Sequence, residues 1–173
     1  MAPVDFGLLI LRLVVGGTMF AHGAQKAFGW WNGPGRERWV QVAGGLGFRP
    51  AGLFAALSIA AELSGGLLLL GLLTPIAAAV IIGQLVVIIG RAHLSKGFFN
   101  TNGGIEFPLS LGAGAAAILF AGPGAVSLDS ILGFSASGDW RAALFAIAIF
   151  AGLAAIAWSV SGSRSTEATA SSR

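Results

Sequence analysis

The chain has 173 residues, of which 55% are hydrophobic and 10% charged, and its formal net charge is +3. Soluble domains carry roughly 25% charged residues, so this composition excludes a soluble fold and indicates an integral membrane protein. The absence of cysteine excludes a disulfide, a thiolate metal site and thiol redox chemistry on this chain. The basic residues lie at the ends of apolar runs, which is typical of membrane topology and argues against nucleic acid as a partner.

Five apolar segments are long enough to cross a bilayer, at about 20 residues for each crossing. The first is interpreted as a retained span and not as a signal peptide, because Asp5 and no basic residue precedes it. Thr74-Pro75 is expected to form the hairpin between the second and third spans. The sequence therefore predicts an all-α polytopic membrane bundle with helices near Phe6–Phe28, Ala51–Leu73, Ile76–Ala92, Gly104–Ala121 and Trp140–Val160.

The distribution of basic residues predicts how these spans are oriented. With five spans, eight of the ten basic residues share one side of the membrane, which places the N-terminus outside and the C-terminus in the cytoplasm. On the cytoplasmic side, the long connection from Gly29 to Pro50 is rich in Trp and Arg. It is expected to lie on the membrane surface, with a short interfacial helix near Arg36–Val42.

Glu62 lies in the middle of the second span, where an acid costs a few kcal/mol on insertion scales. The first helix offers partners on one face, namely Arg12, His22 and Lys26. Arg12 is the predicted partner, because its long side chain can cover a difference in depth of roughly 7.5 Å. The Arg12–Glu62 pair is then either a structural ion pair or a candidate proton-handling pair on a proton or quinone pathway.

A second polar cluster is predicted at the cytoplasmic end of the bundle. Glu106 is expected in the first turn of the fourth helix, where the helix dipole favours negative charge. One interpretation is a capped helix start in which Glu106 pairs with Lys26 or His22. The other is a pocket for a quinone ring, a lipid headgroup or an anion, and no metal site is expected. The candidate ligand-binding residues are His22, Gln25, Lys26, Asn102 and Glu106.

Three ordered motifs resemble the DoxX family. The stretch from His22 to Trp30 is similar to the first-span signature of that family, and Ala61–Gly66 with the following Leu run is similar to its second. The third motif is Gly97–Pro108. The resemblance implies a bacterial inner-membrane protein with a four-helix core, and the polar positions that it carries over are Arg12, His22, Lys26, Glu62, Asn102 and Glu106.

Relatives in the family include a membrane subunit of thiosulfate:quinone oxidoreductase, and the family is linked to oxidative stress and sulfur metabolism. The expected organisation is a DoxX-like core over residues 1–135, an additional C-terminal span over 136–161 and a disordered cytoplasmic tail over 162–173. Trp140–Val160 is therefore a fifth helix beyond the usual core.

The leading functional hypothesis is a membrane subunit of a redox or sulfur-metabolism assembly with a quinone or headgroup pocket. Its expected partners are the lipid bilayer and soluble cytoplasmic redox enzymes, and whether the chain is itself an enzyme is left open. One alternative is a non-enzymatic anchor that recruits a soluble partner or anionic lipid through the Trp/Arg loop. Another is a small-solute permease, which would require a homo-oligomer because five helices can hardly enclose a path.

Overall fold

The computed structural model describes the backbone of residues 2–171 and the side chains of residues 2–163. No strand occurs in that part of the chain, so the predicted all-α class is confirmed. Short 3₁₀ turns at Trp30–Asn32, Leu94–Lys96 and Asn100–Asn102 and a π turn at Ile89–His93 join the helices. The α-helices are α1 (Pro3–Phe28), α2 (Gly35–Gly45), α3 (Ala51–Leu63), α4 (Gly65–Leu70), α5 (Thr74–Ile88), α6 (Glu106–Ala121), α7 (Leu128–Leu132) and α8 (Gly138–Ser171).

Four helical segments of the described chain are long and apolar enough to cross a membrane. They are Pro3–Phe28, Ala51–Leu70, Thr74–Lys96 and Gly138–Ser163. The fourth predicted span is shorter than expected, since α6 begins at Glu106 and has 16 residues. At about 1.5 Å per residue it extends over roughly 24 Å, compared with a hydrocarbon core of about 30 Å.

Contacts at its two ends show that α6 nevertheless runs the length of the bundle. At its start, the ring of Phe107 packs against the ring of His22, with 6.3 Å between centroids. Beyond its end, the amide of Ala125 donates to Oδ1 of Asp5 over 2.9 Å. We call these the His22 end and the Asp5 end of the bundle. Five apolar helices therefore alternate between the two ends, and α6 is the shortest of them.

Small residues bring α1 against α3 and α4. A Cβ on Gly16 would lie 2.6 Å from the carbonyl oxygen of Gly65, and one on Gly23 would lie 2.7 Å from the amide of Leu63. Close approach through small residues is a common way to pack helices in membranes, because lipid offers no hydrophobic force between them. The expected single span Ala51–Leu73 is interrupted at Ser64, which separates α3 from α4.

The hairpin between α4 and α5 differs from its prediction. Thr74 and Pro75 form the first turn of α5 and do not form the connection, because Pro at a helix start removes an N–H that has no intrahelical partner there. The chain turns instead over residues 71–73. Asp129 of α7 accepts hydrogen bonds from the amides of Leu73 (2.7 Å) and Thr74 (2.8 Å). This carboxylate caps α5 and attaches α7 to the hairpin.

The apolar core lies among α1, α4, α5 and α6, and α8 packs along the outer side of α5. The expected short helix near Arg36–Val42 is present as α2, and it packs against α1 and α3. Its position at the membrane surface stays a prediction. The predicted disordered tail covers 162–173. In the described backbone α8 continues through residues 162–171, and residues 172 and 173 lie outside the described part of the chain. The division into a core, an additional span and a tail stays a prediction. The fully buried core side chains include Met19, Leu68, Ile81, Ile118 and Leu119.

Candidate functional site

A buried ion pair joins α1 to α3. The ammonium of Lys26 bonds Oε1 of Glu62, and the two side chains are 11% and 1% exposed. The predicted pairing of Glu62 with Arg12 is therefore wrong. Arg12 donates instead to the carbonyl of Leu68 over 3.4 Å and to that of Val126, and it is fully buried near the Asp5 end.

Helix register explains why Lys26 and not Arg12 reaches the acid. The contacts of Gly16 with Gly65 and of Gly23 with Leu63 fix α1 against α3 and α4. In that register Arg12 lies level with Leu68, six residues beyond Glu62 and roughly 9 Å away along the helix axis. Comparing the midpoints of two apolar segments, as the sequence prediction did, misses this offset.

Further polar groups surround the pair. The side-chain amide of Gln84 on α5 donates to Oγ of Ser58 over 2.8 Å and to Oε1 of Glu62 over 3.4 Å. Gln84 thereby forms hydrogen bonds from α5 to α3. The ammonium of Lys26 also lies 3.9 Å from the centroid of the Trp39 ring, which is a cation–π contact from α2. Residues of α1, α2, α3 and α5 thus converge on one buried charge pair.

The charge pair forms part of the wall of a large cavity of about 1010 Å³. Most of the remaining wall is apolar and comes from α2, α3, α5, α6 and α8. Several lining side chains are exposed on the outer surface, among them Leu57, Val80 and Ile147. Because these apolar side chains belong to helices of spanning length, the cavity opens sideways toward the lipid. The polar or charged side chains that line it are His22, Lys26, Trp39, Ser58, Glu62, Ser64, Gln84, Arg91 and His93.

The structure separates the five predicted ligand-binding residues into two sets. His22 and Lys26 line the cavity, whereas Gln25, Asn102 and Glu106 are not among its lining residues. Glu106 does lie in the first turn of α6, as expected, but its Oε2 accepts from the amide of Asn100 over 2.9 Å. The interpretation in which Glu106 pairs with Lys26 or His22 is therefore wrong. The Glu106 carboxylate instead bonds the backbone of the segment that precedes α6. Whether these three residues contribute to binding stays a prediction.

Sequence reasoning did not place the polar side chains of Trp39, Ser58, Ser64 and Arg91 in the cavity wall. Ser58 lies four residues before Glu62, and Arg91 lies seven after Gln84, so helical spacing alone places each on the same face as its partner. Trp39 carried no such signal, since its position depends on α2 folding under the end of α1. Among the described residues, no group of three or more His, Cys, Asp or Glu could hold a metal ion.

The buried polar side chains near the Asp5 end bond to the backbone of the chain connections there. Arg12 and Asp129 are both fully buried. Each also bonds the backbone: Arg12 bonds carbonyls of α4 and of the segment before α7, and Asp129 bonds the amides that begin α5. These bonds hold the connections together at that end, away from the cavity.

Comparison with known families agrees with this architecture. The family model DoxX matches residues 7–94, just over half of the 173 residues. The chain belongs to the DoxX family. No curated protein and no solved structure matches it.

The matched part of this DoxX protein runs from α1 to the end of the π turn after α5. It contains Lys26, Glu62 and Gln84, so the polar wall of the cavity falls inside the family region. The motif at Gly97–Pro108 lies outside the matched residues, as do α6 and α8. The apolar helices and the family together identify a multi-pass membrane protein embedded in the lipid bilayer.

Proposed function

We propose that this DoxX protein binds a lipid-soluble quinone in the cavity, as the membrane subunit of a redox assembly in the bacterial inner membrane. The observation that carries the proposal is a buried Lys26–Glu62 pair in the wall of a cavity that is otherwise mainly apolar and opens to lipid.

The size and lining of the cavity suit such a ligand. Binding sites for small molecules typically occupy 300–1,000 Å³ and are mostly apolar with a few placed polar groups. An isoprenoid chain would lie along the apolar walls from α3, α5 and α8. The sideways opening of the cavity would admit such a molecule from the bilayer. The ring would then lie beside Lys26, whose ammonium can donate to a quinone carbonyl.

The charge pair also suits the proton chemistry of quinones. Reduction of a quinone takes up two protons, and an acid or base must lie within hydrogen-bond reach to exchange them. Lys26 and Glu62 provide a donor and an acceptor at the same wall. His22 is exposed where the cavity meets the His22 end, so it offers a route for protons toward the nearer surface.

The electrons would have to come from or go to a partner. The chain has no cysteine and no tyrosine, so it lacks the side chains that most often carry thiol or phenol redox chemistry. Helix α2 presents exposed Arg36 and Arg38 at the His22 end, beside the cavity. We place this end in the cytoplasm on the distribution of basic residues, and we assign α2 as the contact for a soluble redox enzyme.

Binding can be tested with the protein in lipid nanodiscs and decylubiquinone as the probe. The expected result is saturable binding above that of protein-free nanodiscs. Ala151→Phe would place a large side chain in the lining and should weaken binding at least about tenfold. Ala146→Phe is the matched control, because Ala146 is an exposed residue of the same helix outside the lining. Binding that never exceeds partition into the lipid, or equal affinities for both variants, would refute the proposal.

A further inference from the structure

The two oxygens of the Glu62 carboxylate are used very differently. Lys26 and Gln84 both donate to Oε1. Oε2 is buried and has no hydrogen-bond partner among the described side chains and backbone. A buried acceptor without a donor is destabilising, and more so when it is charged. Because Glu62 is 1% exposed and lines the cavity, a ligand there is well placed to supply the missing donor.

The same cavity wall carries two donors that lack partners. They are Nε1 of Trp39 and Nε of Arg91, both buried and without an acceptor in the described part of the chain. The Trp39 ring lies against Lys26, so its N–H belongs to the same polar corner as the Glu62 carboxylate. The wall therefore presents unsatisfied groups of both kinds, one acceptor and two donors.

This combination discriminates between the two redox forms of a quinone. A quinone ring carries two carbonyls, which only accept hydrogen bonds. It could satisfy Trp39 or Arg91, but a carbonyl facing Oε2 would bring two acceptors together. A quinol ring carries two hydroxyls, and each can donate and accept. One hydroxyl of the quinol can donate to Oε2 of Glu62, while the two hydroxyl oxygens of the ring can accept from the N–H groups of Trp39 and Arg91.

We infer that the cavity binds the reduced, quinol form in preference to the quinone, with Oε2 of Glu62 as the group that discriminates. The inference rests on the proposed function and makes it more specific. Hydrogen bonds to charged groups contribute enough to change affinity by at least about tenfold, so a preference of that order is expected. Only binding is involved, and no electron is transferred to or from the chain.

The redox midpoint of bound decylubiquinone, compared with the same probe in protein-free nanodiscs, measures this preference directly. Tighter binding of quinol raises the midpoint, by about 30 mV for each tenfold preference in a two-electron couple. Dissociation constants for the two forms, measured under argon with the quinol kept reduced, give the same ratio independently. An unshifted or lowered midpoint in the wild-type protein would overturn the inference while leaving quinone binding established.

Three variants assign the preference to the carboxylate. Glu62→Gln offers an amide that can donate to a carbonyl, so the preference should fall to within about threefold. Trp39→Phe removes a donor that serves both forms, so both affinities should fall and their ratio should persist. Glu37→Gln, an exposed acid on α2, should change neither. A ratio that survives Glu62→Gln would overturn the role of Glu62. Absence of binding of either form to the wild-type protein would instead overturn the proposed function, and this inference with it.

Discussion

Neutralising one member of the Lys26–Glu62 pair should cost more stability than neutralising both. Lys26→Met leaves a carboxylate that is 1% exposed without its cation, and Glu62→Gln leaves a mostly buried ammonium without its anion. Breaking a buried pair from one side typically costs about 3–5 kcal/mol, because an uncompensated charge stays inside. In the double variant no charge remains, so we expect it to be more stable than either single variant, by about 2 kcal/mol.

The assay is the free energy of unfolding in detergent micelles, measured by titration with sodium dodecyl sulfate for the wild type, the two single variants and the double variant. Glu37→Gln removes an exposed acid from α2 and is the control, with an expected change within about 0.5 kcal/mol. Two single-variant losses that simply add in the double variant would show that the residues are not coupled, and would refute the buried pair.

Two further predictions concern the Asp5 end and the orientation in the membrane. Asp129→Ala should destabilise the protein by about 2 kcal/mol or more in the same titration, because the amides of Leu73 and Thr74 lose their acceptor. Asp139 is an exposed acid at the start of α8, so the control Asp139→Asn should have little effect. Equal stability of both variants would contradict the capping role of Asp129. Since the chain has no native cysteine, a single introduced cysteine reports on which side of the membrane its position lies. An impermeant maleimide added to intact cells should label Ser135→Cys at once and Ser95→Cys only after permeabilisation, and the reverse pattern would invert the predicted orientation.

The sequence was sufficient for the class of the protein and for most of its helices. Composition alone excluded a soluble domain. The apolar segments located every long helix to within a few residues, except at the end of α8, which continues to Ser171 beyond the predicted Val160. Thr74 and Pro75 were misplaced because Pro is compatible both with a turn and with the first turn of a helix. The interruption at Ser64 was overlooked, although the run Ser64-Gly65-Gly66 favours a break in a helix.

The candidate site was harder to predict, because it depends on helix register. Glu62 stands out in the sequence as a membrane-embedded acid, but its partner is determined by contacts of Gly16 and Gly23 that shift α1 along α3. Periodicity places residues on a helix face and says nothing of how far one helix slides along another. The position of Trp39 likewise depends on α2 folding under α1, which is a tertiary contact. By contrast, the faces shared by Ser58 with Glu62 and by Gln84 with Arg91 could have been found by spacing.

The most direct test of the account is to map where a photoreactive quinone attaches to the protein in native-like membranes. A quinone with an azido group on its ring should label peptides that contain the cavity wall around Ser58–Glu62 and Gln84–Arg91, and excess decylubiquinone should suppress that labelling. Labelling confined to the Asn100–Glu106 segment would place the ligand at the other predicted polar group. Labelling spread over the lipid-facing helices, unaffected by competitor, would contradict a quinone site in this protein.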